Sequence, residues 1–468
     1  HHREGHRVSA VYAESAPDVG CGMIHRQLPL LRSFPETLAE HPAAIRDRLA
    51  DLLGGDLDFR GAETGYASHR LHSFAAKFPP QLPRLFIQSL TRTGQTVLDP
   101  MAGSGTTVIE AILLGRKGVG VDLDPLAVQI GLAKTTWVRW ADLVRSAREV
   151  IAKADRWLRA GRSVKLREFR ATLDDATKEF LDYWFLPSTQ EELAALIAAI
   201  REESDATVRR LLLVAFSSTI VTKLGGVSLA RDLAHSRPHR DPEKRPPNAL
   251  DLFWERVGRY RRVLLSEPRL SPDTDALVVH GDARTLPIAD SSVHLIVTSP
   301  PYANAIDYMR AHKFSLVWMG KRIGELSLWR SRYIGAERAT ENDGPLPHLT
   351  QRTIGRIAEL DSKRARVLGK YFTDMRQALR EMHRVLCSGA AAIIVVGPST
   401  MRGLKIETHQ CLAEIAESVG FDVVRIRERQ LDRDRRMMPV SARGSSPSTI
   451  EARMHREYII GLVKPGGR

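Results

Sequence analysis

Apolar positions along this chain recur with two different periods. Short runs at Thr96–Asp99, Gly118–Asp122, Ala276–His280, Val293–Val297 and Ala391–Val396 are nearly continuous in apolar residues, as strands buried on both faces are. Between them the spacing lengthens to three and four residues. It predicts helices over Leu82–Leu90, Thr106–Leu114, Ala141–Ala160, Asp174–Trp184, Thr189–Glu202, Ala206–Leu224, Ala249–Ser266 and Thr408–Val419. A long helix-rich stretch runs from Tyr308 to Val385, and Phe421–Ile426 with Tyr458–Val463 reads as a closing β-hairpin. Strands alternating with helices predict an α/β fold built on a doubly wound sheet.

The same pattern divides the chain. Residues 1–65 are polar and weakly patterned, with one helix near Pro42–Leu53, and read as an N-terminal arm. Residues 66–130 and 271–468 carry the strands. Residues 131–270 read as a mostly helical insertion between the second and third strands, broken by the Pro-rich basic loop Ser236–Pro247.

Chemistry concentrates at the strand ends. Asp99-Pro100-Met101-Ala102-Gly103-Ser104-Gly105-Thr106 leaves a strand, turns on small residues and enters a helix. Glycines there let the backbone approach a ligand, and the helix start offers free N–H groups. No GK[ST] follows, so this is not a P-loop. The second strand ends in Asp122, followed by Leu123, at the place where an acid commonly holds a ribose diol; capping of the next helix is its rival role, open to Asp124 as well. Gly281-Asp282-Ala283 follows the third strand, where an aspartate can accept from an adenine amino group. Ser299-Pro300-Pro301-Tyr302 follows the fourth. Two prolines make a rigid loop poor in donors, whose carbonyls are free to accept from an exocyclic amino group, and Tyr302 offers a face on which a base can stack.

In this order the motifs resemble the DNA amino-methyltransferases that use S-adenosylmethionine. His72-Ser73-Phe74-Ala75-Ala76-Lys77-Phe78-Pro79-Pro80 resembles the family's N-terminal cofactor-side block. The resemblance implies a Rossmann-like methyltransferase sheet and an S-adenosyl-L-methionine site at Phe78, Asp99, Pro100, Ala102, Gly103, Ser104, Gly105, Thr106, Asp122, Leu123, Asp282 and Ala283. It implies a catalytic loop at Ser299, Pro300, Pro301 and Tyr302, acting on a base flipped out of double-stranded DNA. Ser in first place is typical of the cytosine-N4 branch; adenine-N6 and an RNA base amino group are the alternatives, and a silent nucleic-acid-binding module is the non-enzymatic one. No Cys follows a Pro, against the ring-carbon cytosine enzymes. Asn304, Asp307 and Tyr308 lie close enough to the loop to line a pocket, with helix capping the rival for the first two. The insertion is expected to read the target; dimerisation and buttressing stay open. A homodimer and a cognate restriction endonuclease also remain open as partners.

Charge adds one thing. The 468 residues carry 69 Lys and Arg against 55 acids, a net +14, which favours a polyanionic partner. Arg supplies 55 of the 69 cations. Candidate phosphate contacts are Arg237 and Arg240 in the insertion's basic loop, and Arg425, Arg427, Arg429 and Arg435 near the C-terminus. The three cysteines, Cys21, Cys387 and Cys411, show no metal or disulfide spacing, and no metal is expected. No apolar run approaches the ~20 residues of a membrane span. The few cysteines fit a reducing, intracellular setting with no membrane partner, and the resemblance implies a DNA-associated protein of the bacterial or archaeal cytoplasm.

Overall fold

The computed structural model describes residues 42–74, 77–161, 163–222, 225–231, 233, 238–265, 268–303, 307–335, 344–431 and 456–466. Its strands are β1 (Thr96–Asp99), β2 (Lys117–Asp122), β3 (Ala230–Arg231), β4 (His239–Arg240), β5 (Ala276–His280), β6 (Val293–Thr298), β7 (Leu386–Val396), β8 (Ser399–Met401), β9 (Leu404–Ile406), β10 (Asp422–Gln430) and β11 (Arg456–Val463). Seven of them form one sheet in the order β10-β11-β7-β6-β1-β2-β5. β11 runs antiparallel to both neighbours, and every other pairing in the sheet is parallel. The order reverses at β1, which has β2 on one side and β6 on the other, so a crevice opens at the carboxyl ends of these strands.

Alternate strand residues serve opposite layers. Val97, Leu295, Val297, Ile393, Val395 and Ile459 pack under helices Pro42–Gly54 and Gln81–Leu90. Leu98, Ile296, Ile394, Val396 and Ile460 face helices Ser362–Val385 and Thr408–Ser418. Both faces are dry, which is why the strands read as continuous apolar runs.

Two boundaries move. Helix Pro42–Gly54 is not part of an arm: Leu49 and Leu53 are fully buried against the sheet, and Leu53 sits where a Cβ on Gly461 of β11 would be. Helix Pro125–Thr135 covers the sheet beside β5, its Gly131 close against Val278, so the extra helices begin only after Thr135. These are Trp140–Gly161, Ser163–Ala171, Asp175–Trp184, Pro187–Arg201, Ala206–Ile220 and Ala249–Leu265, plus the two-residue pair β3–β4.

The stretch after β6 resolves into helices Met309–Leu316, Ile323–Arg330, His348–Ala358 and Ser362–Val385. The first two share one core with the inserted helices. Trp318, fully buried, stacks on Phe169 (5.0 Å, 12°) and meets Phe185 edge-on (5.5 Å, 87°); Phe314 lies 4.9 Å from Trp184. The insertion therefore supports the segment that follows the Ser299–Tyr302 loop.

Candidate active site

At the reversal point β1 and β6 end side by side, and the Thr298 hydroxyl donates to Asp99 Oδ1 (2.7 Å). The chain then turns through Gly103 (φ +50°) and Gly105 (φ +80°) into helix Thr106–Leu113. Gly103 is required twice over: its φ is left-handed, and a Cβ would lie 3.0 Å from the Phe74 ring. Its N–H donates to Asp122 Oδ2 (2.7 Å), tying the turn to the end of β2. Asp122 Oδ1 accepts the Asp124 N–H (2.8 Å). Burial pushes the Asp99 carboxyl up to about 6. Burial, with the charge of Asp124 beside it, pushes Asp122 up to about 7.

Asp124 takes the capping role. Its Oδ1 accepts from the Leu126 and Ala127 amides, while Oδ2 accepts from His312 Nδ1 (2.6 Å) and the Tyr333 hydroxyl (2.9 Å). Burial alone would raise this carboxyl; the His312 charge and the hydrogen bonds outweigh it and hold it below the usual range. Asp124 thus ties β2 to two elements nearly 200 residues downstream.

A cavity of about 680 Å³ fills the crevice, within the ~300–1,000 Å³ usual for small-ligand sites. It is lined by Phe78, Asp99, Pro100, Ala102, Gly103, Ser104, Thr106, Asp122, Leu123, Asp282, Ala283, Ser299, Pro301, Tyr302, Asp307 and Tyr308. Of the expected site residues, Gly105 and Pro300 shape the turns without lining the cavity. Asn304, Arg237 and Arg435 lie outside the described residues. The Ser104 hydroxyl is buried in the wall without a hydrogen-bond partner among the described residues. Asp282 is clasped by its neighbour Arg284, which bridges it to the fully buried Asp374 (3.0 Å).

Tyr302 is held from behind. Its hydroxyl donates to Glu457 Oε1 (3.0 Å), and Arg429 grips Glu457 Oε2 through Nε and Nη2 (2.9 and 2.7 Å). The ring lies against Gly397, where a Cβ would come within 2.5 Å of it. Phe74 stacks on Tyr308 (5.2 Å, 21°) to form a second aromatic wall.

Several contributors had no sequence signal. Arg310 and Arg330 enter the cavity wall and share Asp307 Oδ2 (3.1 and 2.6 Å), whose Oδ1 is buried and unpartnered. Arg364 and Met401 line the wall from still later in the chain. Behind Phe74, the fully buried Glu110 accepts from Tyr66 (2.9 Å) and Arg84 (3.1 Å) and lies 2.7 Å from His69 Nε2, anchoring the 66–80 block.

One expected phosphate contact is corrected. Arg429 is buried in the Glu457 ion pair. Antiparallel pairing of β10 with β11 uses this cation of the basic run internally. Arg240 stands exposed away from the cavity, its Nε donating to the Tyr183 carbonyl (2.7 Å) and its guanidinium over the Tyr183 ring.

A glycine turn after β1, an acid at the end of β2 and a strand order reversing between β1 and β6 define the doubly wound methyltransferase sheet, here with its closing β10–β11 hairpin. Residues 58–133 match the family model described as DNA methylase. Type II methyltransferase M.MvaI of Kocuria varians is 24% identical over 395 residues, spanning 77% of this chain and 83% of that one. Type II methyltransferase M.AvaI of Nostoc sp. is 22% identical over 383 residues, spanning 73% and 76%. Among solved structures, a TehB-like SAM-dependent methyltransferase from Corynebacterium glutamicum aligns over 91% of this chain and 100% of its own, at 12% identity and a TM-score of 0.27.

Proposed function

We propose that the protein transfers a methyl group from S-adenosyl-L-methionine to the N4 amino group of cytosine in double-stranded DNA. One observation carries the reading: the glycine turn, Asp122 and the Ser299–Tyr302 loop, scattered over some two hundred positions, line one cavity. The cavity fits the cofactor chemically. Asp122 offers acceptors for a ribose diol, the orphaned Ser104 hydroxyl has a partner to gain, and the Gly103 backbone can approach closely.

The bound cofactor supplies an electrophilic methyl group on a sulfonium centre. The protein prepares the nucleophile. A cytosine amino nitrogen is weak because its lone pair is delocalised into the ring. Ser299 Oγ and the Pro300 carbonyl accept its two N–H bonds, which favours a pyramidal nitrogen and localises the lone pair for in-line attack. Tyr302, backed by Glu457 and Gly397, holds the base by stacking worth ~1–3 kcal/mol. The N–C bond forms as the C–S bond breaks, and the amino proton leaves to solvent. Orientation supplies much of the acceleration, up to ~7–11 kcal/mol in favourable cases. No covalent enzyme intermediate is needed.

The test is to incubate unmodified plasmid and, in parallel, total RNA with the protein and isotopically labelled cofactor, digest each to nucleosides and identify the labelled base. N4-methylcytosine is expected. N6-methyladenine alone overturns the cytosine assignment, and label only in RNA overturns DNA as substrate. Ser299→Ala should lower turnover more than substrate affinity, because its hydrogen bond strengthens in the transition state.

A further inference from the structure

Helices His348–Ala358 and Ser362–Val385 pack against each other across a short turn, and the first turns of the second helix reach the cavity. Arg364 and Val367, in the second helix, line the cavity itself, as does Met401 at the end of β8. The β8–β9 turn is fastened to the tip: Arg402, held at φ +50°, donates from Nε to Asp361 Oδ2 (2.8 Å), and Asp361 caps the second helix through the Arg364 amide. That ion pair neutralises the acid at the tip. What remains exposed on the hairpin is Arg352, Arg356, Lys363, Arg364 and Arg366, none of them in an ion pair among the described residues, against the exposed acid Glu359. Leu360 stands between the two helices, 57% exposed.

Folding alone does not account for this arrangement. Arg284, Arg384 and Arg429 show the other use of a cation here, each spent on an internal ion pair. Here five have no ion-pair partner among the described residues, around an apolar tip beside the cavity that holds Ser299 and Tyr302. Phosphates complement such a cluster, and a leucine at its centre suits insertion between base steps. From this geometry we infer that the 348–366 hairpin tip is the surface on which duplex DNA docks, with Lys363 and Arg366 on phosphates and Leu360 against the base step opened by flipping. The inference rests on the proposed methyltransferase reading and adds to it the place where the duplex sits.

The experiment measures binding of a labelled 30-base-pair duplex across a salt series, with S-adenosylhomocysteine present, beside cofactor affinity by calorimetry. Lys363→Ala/Arg366→Ala should weaken binding at least about tenfold and flatten the slope of log K against log salt by about 1.8, at ~0.9 per lost phosphate contact. Cofactor affinity should stay at the parent value. The control is Arg92→Ala/Lys117→Ala, at the opposite ends of the strands, which should leave binding and slope as in the parent. Leu360→Ala should keep the salt slope and lower the rate of methyl transfer to plasmid. An unchanged slope in Lys363→Ala/Arg366→Ala, or equal losses in the control, overturns the docking surface. If the parent binds duplex but labels only RNA, the functional reading fails while the surface stands. If the parent methylates plasmid and the Lys363/Arg366 variant binds normally, the surface fails and the reading stands.

Discussion

Asp122 has the environment of a group that must choose between charge and burial. Ionised, it accepts from the Gly103 and Asp124 amides and keeps lone pairs for a diol. Burial pushes its pKa up to about 7, with Asp124 adding to the shift, so the choice falls near neutrality. The sign follows from which form binds. The carboxylate accepts from hydroxyls and the acid loses an acceptor, so cofactor affinity should be greatest at high pH and fall as pH drops through 7. With one such group, Kd should rise roughly tenfold between pH 8 and pH 6. Calorimetry across that window checks it, with Asp122→Asn expected to bind weakly and without pH dependence. A flat profile in the parent would remove Asp122 from the diol. The position of this acid was legible, because strand, turn and spacing are local. Its partner Asp124 was legible only as a cap: nothing in the sequence joins it to His312 and Tyr333, which only the fold brings within 3 Å.

Among the elements, the closing hairpin does more than finish the sheet. β10 supplies Arg429, β11 supplies Glu457, and the pair grips the Tyr302 hydroxyl while Gly397, just past β7, gives its ring room. Tyr302 is therefore oriented by three strands other than the one it follows. Gly397→Ala would push the ring out of place, since the new Cβ would need the space of Cε2. Misplacement of about 1 Å at a reacting centre costs on the order of a hundredfold, so turnover should fall by roughly ten- to a hundredfold. Cofactor affinity should hold, because Gly397 does not line the cavity. Steady-state kinetics with parallel calorimetry separates the two; normal turnover would show that the Tyr302 position does not govern the reaction. The strands themselves were readable from their apolar runs. The grip was not, because Arg429 and Glu457 look like surface charges of a basic, polar stretch until antiparallel pairing turns them inward. Helix Pro42–Gly54 did carry a readable signal, Ile45, Leu49, Leu52 and Leu53 on one stripe, that marks it as packed rather than as an arm.

At the scale of the whole molecule the question is whether the inserted helices are a detachable reader of DNA or part of the enzyme's frame. Their composition and basic loop suggested a reader. Their packing points to a frame: Phe169, Trp184 and Phe185 share a core with Phe314 and Trp318, and helix Met309–Leu316 carries His312 to Asp124 at the cavity. His72 reaches into the insertion too, its Nε2 3.0 Å from the Ser217 hydroxyl. Lys244, within the Ser236–Pro247 loop, donates to the Ser228 and Ala230 carbonyls. Removing the insertion would strip one side of Trp318 and Phe314, and losing a large buried aromatic's packing costs ~3–5 kcal/mol for each such residue. That is comparable with the ~5–15 kcal/mol holding a typical domain together. A chain in which residues 137–273 are replaced by a short flexible linker should therefore fail to unfold cooperatively and fail to bind the proposed cofactor, even though no residue of the glycine turn, Asp122 or the Ser299–Tyr302 loop has been touched. Circular dichroism melting and calorimetry on the shortened chain decide the matter. A folded product with parent-like cofactor affinity and altered sequence preference would make the insertion a reader after all.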